Sequence, residues 1–378
     1  MKKIKRLLQT EMEMRLKPQK VLLLVGARRV GKTVLVEQIV NGFDGKTLML
    51  NGESMDTVRL LNERTVANYR QLFSGVDLLC IDEAQHIPDI GMKLKLMIDE
   101  VPGLRVIATG SSSFDLQNVA GEPLVGRSTQ FLLTPFSARE IIQSSSSIEF
   151  MQKLEQYIVY GHYPELESID NAKLKQEYLN DVVDAYLLRD ILAFDGLKHA
   201  QKMYDLLRLI AFQTGSEVSL DELGSNLSLS RNTVERYLDL RKKSFVLFRI
   251  GGFSRNLRKE VGKAFKWYFY DTGIRNAVIR DYNPFGMRSD SERGALWENY
   301  FIADRIKNSY NARLGTNFYF WRTYDKQEID LIEEQDGKLM AIEMKSGHKK
   351  PSVPKAFAKA YPEATFSVLN ADSYIDFI

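Results

Sequence analysis

The sequence predicts a multidomain α/β protein whose N-terminal third is a parallel β-sheet covered by helices on both faces. Three observations lead there. Strand-length apolar runs at 21–25, 46–51, 76–81 and 105–109 alternate with helical stretches, and strands separated by helices pair in parallel. The chain has 378 residues, too many for one simple core, so about two to four domains are expected. Polar clusters follow three of the runs, at Gly26, Asp82-Glu83 and Ser111. All three therefore fall at the carboxyl ends of strands, where open α/β sheets bind ligands.

Hydrophobic residues make up 44% and charged residues 27% of the chain, the balance of a soluble globular protein. A net charge of +3 neither selects nor excludes nucleic acid, because the distribution of charge matters more than its sum. The single cysteine, Cys80, lies inside Leu78-Leu79-Cys80-Ile81 and reads as a buried structural thiol. This excludes an intrachain disulfide framework and fits the reducing cytoplasm. Lys2, Lys3, Lys5 and Arg6 are not followed by an apolar stretch of signal-peptide length. No run is long enough to span a bilayer, so no membrane partner is expected. There is no internal repeat, and residues 144–147 are the one low-complexity patch.

The first polar cluster is Gly26-Ala27-Arg28-Arg29-Val30-Gly31-Lys32-Thr33. It lies between the apolar run 21–25 and the helical stretch that begins at Val34. Strand, glycine loop and helix follow one another with the spacing G-x-x-x-x-G-K-T, the signature of a phosphate-binding loop. The glycines let the backbone curl its amides toward phosphate oxygens, and the helix N-terminus adds its positive end. Lys32 would bridge the terminal phosphates of ATP, and Thr33 would hold Mg²⁺ through its hydroxyl.

Leu78-Leu79-Cys80-Ile81-Asp82-Glu83 has the chemistry of the matching carboxylate strand. The apolar residues bury the strand and the carboxylates project at its end. Asp82 would support Mg²⁺ and Glu83 would polarise the attacking water. Ser111 either senses the γ-phosphate or makes a polar turn with Ser112 and Ser113. Arg127 precedes an expected strand at 129–133. It either reaches a phosphate, across a subunit interface as an arginine finger, or makes a surface salt bridge.

The runs G-A-R-R-V-G-K-T, I-D-E-A-Q-H-I-P-D, A-T-G-S-S-S and G-R followed by L-T-P-F-S-A-R-E resemble prokaryotic AAA-type ATPases that carry a C-terminal domain of unknown function. In that family the C-terminal domain resembles PD-(D/E)XK nucleases. The resemblance covers most of the chain. It implies an AAA-type P-loop core over residues 1–140, a helical lid or linker over 141–215, and a nuclease-like α/β domain over 273–378.

Residues 216–272 read as a winged helix-turn-helix. Ser219 and Glu222 stand at capping-box spacing. A turn at Ser228-Leu229 and a second helix capped by Ser230 follow, with Val234, Tyr237, Leu238 and Arg241 at helical spacing. Segments 245–250 and 265–270 read as two wing strands. Between residues 241 and 267 there are nine basic residues and one acid, and Arg255, Arg258, Lys259 and Lys263 would meet phosphates from the wing loop. Glu235 and Asp239 on the second helix favour the other use of such a module, protein docking. His162, in the break Gly161-His162-Tyr163-Pro164, reads as a turn residue rather than a ligand.

In the C-terminal segment, Glu298 shares the apolar helical face of Ala295, Ile302 and Ile306. Two strands, 328–332 and 339–345, flank Asp336-Gly337, a preferred two-residue hairpin turn. Counting outward from that turn, Gln335 faces Lys338, Asp330 faces Glu343 and Glu328 faces Lys345. Alternation puts all four of the latter on one face. Carboxylates directly opposite each other repel, and a divalent metal would remove that repulsion. By resemblance to the PD-(D/E)XK set, Asp330 and Glu343 would ligate Mg²⁺, Lys345 would orient or activate water and Glu298 would assist the metal.

Two functions follow. One is an ATP hydrolase coupled to a DNA- or RNA-binding, Mg²⁺-dependent nuclease-like module, with a homo-oligomer if Arg127 acts in trans. The other is an ATP-dependent switch whose winged helix and C-terminal domain dock a protein partner without nuclease activity.

Overall fold

The computed structural model describes residues 4–110, 124–187, 200–254, 265–323, 325, 327–347 and 351–378. The chain divides into two compact units. One comprises residues 5–134 with 243–245; the other contains 135–242 and 246–378.

The N-terminal unit is a five-stranded sheet of β1 (Val21–Val25), β2 (Thr47–Asn51), β3 (Leu78–Asp82), β4 (Arg105–Gly110) and β5 (Ser128–Leu132). The order is β2-β3-β4-β1-β5 and every pairing is parallel. β1 is buried along its whole length, as its unbroken Val/Leu run requires of a central parallel strand. Its described residues also form helices Leu7–Arg15, Lys32–Gly42, Met55–Leu60, Val66–Leu72 and Ile90–Glu100 and the short turn Ala84–His86. The helical stretch expected over 57–72 is two helices. The second starts where Thr65 accepts a hydrogen bond from the Asn68 amide at 3.2 Å, an N-cap that interrupts the first. Leu79, Ile81, Leu94, Met97, Val106 and Tyr69 share one core. Cys80 is buried, and burial pushes its thiol up to about 12, which leaves it unreactive.

The larger unit contains a seven-stranded sheet in the order β12-β11-β10-β9-β7-β8-β6. Its strands are β6 (Glu217–Val218), β7 (Leu247–Gly252), β8 (Phe265–Phe269), β9 (Asn317–Arg322), β10 (Glu328–Gln335), β11 (Lys338–Met344) and β12 (Thr365–Leu369). Helices Leu220–Leu227 and Arg231–Lys243 precede β7. The second buries Val234, Tyr237, Leu238 and Arg241, the face expected from their spacing. β7 and β8 are antiparallel neighbours. The residues expected on the loop between them, Arg255, Arg258, Lys259 and Lys263, lie outside the described residues. β7 also pairs in parallel with β9 through Gly251↔Tyr319 and Gly252↔Phe320. Strands from segments 216–272 and 273–378 thus form one continuous sheet, across the boundary read from sequence. The short helix Thr272–Ile279 and strand β9 were not expected.

The 23-residue helix Asp290–Ala312 packs on this sheet, and the Ser289/Glu292 capping box fixes its start. Its Arg305 grips Glu333 of β10 through Nε–Oε1 at 2.6 Å and Nη2–Oε2 at 2.7 Å, and donates through Nη1 to the Phe377 carbonyl at 2.6 Å. His162 is buried here. Its Nε2 lies 2.7 Å from the Tyr300 hydroxyl, and its ring stacks on Tyr157. Burial, then the Lys307 charge, holds its pKa well below the usual range, so it is a neutral core residue. Among the described residues no helix is long and apolar enough to cross a membrane.

Candidate functional site

The parallel order puts β4 between β1 and β3, so the loop after β1 and the carboxylates after β3 flank the end of β4. Gly31, with φ of +93°, caps the helix Lys32–Gly42, a conformation that favours glycine. Gly26 is required by close approach: a Cβ there would stand 2.2 Å from the Leu133 carbonyl oxygen. Lys32 is buried and its Nζ donates to the Gly26 and Ala27 carbonyls at 3.0 and 3.1 Å, which holds its charge inside the loop. Arg6, also buried, donates to the Val30 carbonyl and ties the start of helix Leu7–Arg15 to the loop.

Thr33 Oγ1 donates to Asp82 Oδ2 at 2.7 Å. The other Asp82 oxygen accepts from the Thr109 hydroxyl, and that hydroxyl accepts from the Glu83 amide at 3.0 Å. Glu83 has φ of +47°, left-handed backbone that is strained for a residue with a side chain. Its Oε2 accepts from Gln85 Nε2 at 2.5 Å. One chain of hydrogen bonds therefore runs from the first helical turn, through Asp82 and β4, to Glu83. The Thr33 hydroxyl and Asp82 carboxylate are hard oxygen donors side by side, the donor chemistry that Mg²⁺ takes.

A second polar cluster lies in the larger unit. The β10–β11 hairpin has the register counted from sequence, with Gln335↔Lys338 across Asp336-Gly337, both at positive φ. One step beyond Leu331↔Ile342, Asp330 Oδ2 accepts from the Met344 amide at 2.7 Å. Lys345 Nζ donates to Glu343 Oε1 at 2.6 Å. The register between β10 and β9 shifts between Ile329 and Ile332, a bulge that carries Asp330. Glu298 Oε1 accepts from the Tyr268 hydroxyl at 2.6 Å and from Lys266 Nζ at 3.3 Å. Lys266 Nζ also lies 2.5 Å from Glu328 Oε1.

Burial raises the pKa of Glu298 to about 7, and the Asp330 charge adds to the rise. Asp330 is raised by burial against the pull of the Met344 amide, and Glu343 by burial and then by Asp330. Burial alone would lower Lys266, but Glu298 and Glu328 outweigh it and its pKa is raised. Among the described residues no group of three or more His, Cys, Asp or Glu side chains could hold a metal ion.

Residues 18–142 match the family described as AAA domain. That matched stretch lies almost wholly in the N-terminal unit and takes in the phosphate loop and Asp82-Glu83. Residues 151–284 match a domain of unknown function (DUF8612), and residues 293–375 match another (DUF4143). The chain is similar to uncharacterized protein Rv2008c of Mycobacterium tuberculosis, 26% identical over 344 residues, covering 90% of this chain and 73% of that protein. It is also similar to uncharacterized protein MJ1544 of Methanocaldococcus jannaschii, 21% identical, covering 95% and 83%. Among solved structures, a Thermotoga maritima RuvB variant aligns with TM-score 0.31 at 15% identity, over 64% of this chain and 86% of that one. A Pif1 helicase solved for DNA unwinding at forked duplexes aligns with TM-score 0.27 at 12% identity, over 47% of this chain. The chain spans about half of that helicase, 51%.

In the N-terminal unit, Lys32, Thr33, Asp82 and Glu83 come together at one sheet edge, with Gly26 to Gly31 forming the loop. Ser111 lies outside the described residues. Arg127 is not brought to the loop. It precedes β5, its carbonyl accepts from the Val21 amide at 2.9 Å, and it pairs with Asp99 at 2.9 Å. Val21 starts β1 and the loop follows its end, so Arg127 lies at the opposite edge, roughly 16 Å away by strand rise. Of its two readings from sequence, the structure forms the salt bridge.

In the larger unit Glu298, Asp330, Glu343 and Lys345 do converge. Sequence reasoning missed Thr109, Gln85, Lys266 and Tyr268. Thr109 stood at the end of an expected strand, but which strands lie beside it is set by the sheet order. Lys266 and Tyr268 alternate on β8, but nothing local says which face meets Glu298.

Proposed function

We propose that this chain binds ATP with Mg²⁺ and hydrolyses it. The observation that carries the reading is the hydrogen-bonded line Thr33–Asp82–Thr109–Glu83 beside the phosphate loop. Loop amides and Lys32 would hold the phosphates, and Thr33 and Asp82 would hold Mg²⁺. The metal would neutralise charge between the β- and γ-phosphates. Glu83, fixed by Gln85 and by its backbone bond to Thr109, would orient the attacking water. The test pairs Lys32→Ala with Glu83→Gln. Lys32→Ala loses ATP binding or turnover; Glu83→Gln retains labelled ATP but releases no phosphate. Unchanged phosphate release by Glu83→Gln sinks the role assigned to it.

The second reading concerns the larger unit as a nuclease-like module on DNA or RNA. It is favoured by Glu298, Asp330, Glu343 and Lys345 meeting at one cluster. Incubation with DNA and RNA plus Mg²⁺ or Mn²⁺ tests it: cleavage absent from Asp330→Ala and Lys345→Ala supports the reading, and equal cleavage refutes it. Mobility shift of duplex DNA at two salt concentrations separates it from a protein-docking switch, since phosphate contacts dominate at low salt. An arginine-finger role for Arg127 requires a homo-oligomer, which sizing with and without nucleotide tests.

A further inference from the structure

Lys266 has no place in either reading, and it is the most deeply buried charge in the C-terminal cluster. It is 2% exposed, on β8, a strand that comes from the segment before residue 272. Its ammonium lies 2.5 Å from Glu328 Oε1 and 3.3 Å from Glu298 Oε1, and 5.3 Å from the centroid of the Phe320 ring. Tyr268, two residues on along the same strand, adds a 2.6 Å hydrogen bond to the same Glu298 oxygen. Asp330 and Glu343 each commit one oxygen to a protein donor, the Met344 amide and Lys345. A buried carboxylate is tolerated only when paired or bound to a metal. Here the pairing is supplied from within the chain.

We propose that Lys266 is a tethered counter-cation that occupies the carboxylate cluster of Glu298, Glu328, Asp330 and Glu343 and closes it to divalent metal. The inference rests on reading that cluster as a potential cation site. An ammonium and a hydrated divalent ion cannot share the oxygens of Glu298 and Glu328, and the tethered group is dehydrated once, as the chain folds, rather than at each binding event. β8 pairs with β7, which joins the C-terminal strands through Gly251↔Tyr319 and Gly252↔Phe320, so the cation arrives from outside the strands that carry the carboxylates.

The experiment measures Mn²⁺ binding by electron paramagnetic resonance on the full chain without nucleotide. All proteins carry Asp82→Asn, so that the phosphate loop contributes nothing. The expected result is that this parent binds no Mn²⁺ at the cluster. Lys266→Met gains about one tightly held ion, and adding Asp330→Asn removes it. Lys266→Met/Glu328→Gln, which balances the buried charge, serves if the single variant fails to fold, with circular dichroism as the check. If the parent already binds Mn²⁺ in an Asp330-dependent way and Lys266→Met binds no tighter, Lys266 does not close the site, although the cation-site reading stands. If neither parent nor variants bind, the inference and that reading both fall.

Discussion

Thr109 joins the strand end to Asp82: its hydroxyl donates to Asp82 Oδ1 while accepting from the Glu83 amide at 3.0 Å. The threonine is 1% exposed, so water cannot replace it. Valine keeps the shape and removes both bonds. Losing a charge-assisted bond costs about 1.5–3 kcal/mol, so Thr109→Val is expected to lower kcat roughly 10- to 100-fold. Thr109→Ser is expected to retain most activity, and nucleotide affinity to change little. Phosphate-release kinetics with a fluorescent-nucleotide titration read this; wild-type kcat in Thr109→Val removes the positioning role.

Gly52 tests how tightly the same edge is packed. Its amide donates to the Asp82 carbonyl at 2.8 Å, and a Cβ on it would stand 2.4 Å from the Glu83 carbonyl oxygen. Gly52→Ala must therefore displace Glu83. We expect it to cost about 1–3 kcal/mol in urea unfolding, as overpacking does, and to slow hydrolysis. Gly42 has nothing within 4 Å of its Cβ position, so Gly42→Ala should be neutral or slightly stabilising.

The Arg305–Glu333 pair offers a stability test in the larger unit. Glu333 is 8% exposed, and the bidentate contact also anchors the Phe377 carbonyl through Arg305. Removing one partner of a buried pair costs about 3–5 kcal/mol. Glu333→Leu should approach that loss, while Arg305→Lys, which cannot make the bidentate contact, should lose less. Equal melting temperatures for wild type and Glu333→Leu would show the pair to be energetically idle.

Glu298 makes stability depend on pH. Burial and the Asp330 charge raise its folded-state pKa to about 7, above the usual glutamate value. The folded chain thus binds more protons than the unfolded chain between about pH 4.5 and 7. Its contribution is full below that window and is lost as pH rises through it, on the order of 3 kcal/mol for a shift of this size. Glu298→Gln should flatten that slope in pH-resolved melts. A variant with the same slope as wild type would reject the assignment.

The phosphate loop was legible because its parts are contiguous: strand, eight-residue loop and helix lie within about twenty residues, and local backbone chemistry specifies them. The hairpin register was legible for a similar reason. Asp336 and Gly337 adopt the positive φ values of a two-residue turn, and strand alternation then places Asp330, Glu343, Glu328 and Lys345. The strand β9 was less visible, because its pattern Asn317-Phe-Tyr-Phe-Trp-Arg lacks alternation.

What the sequence by itself determined is the chemistry at each strand end and the face of each helix, since these depend on neighbours a few residues apart. Tertiary structure alone decided three things. The direction of β5 put Arg127 at the edge away from the loop. The strand order set Thr109 between the phosphate loop and the carboxylate strand. The parallel pairing of β7 with β9 carried Lys266 and Tyr268 to Glu298, which lies about thirty residues away in the chain. Each depends on which strand lies beside which, and that is settled by packing across the whole sheet rather than by local propensity.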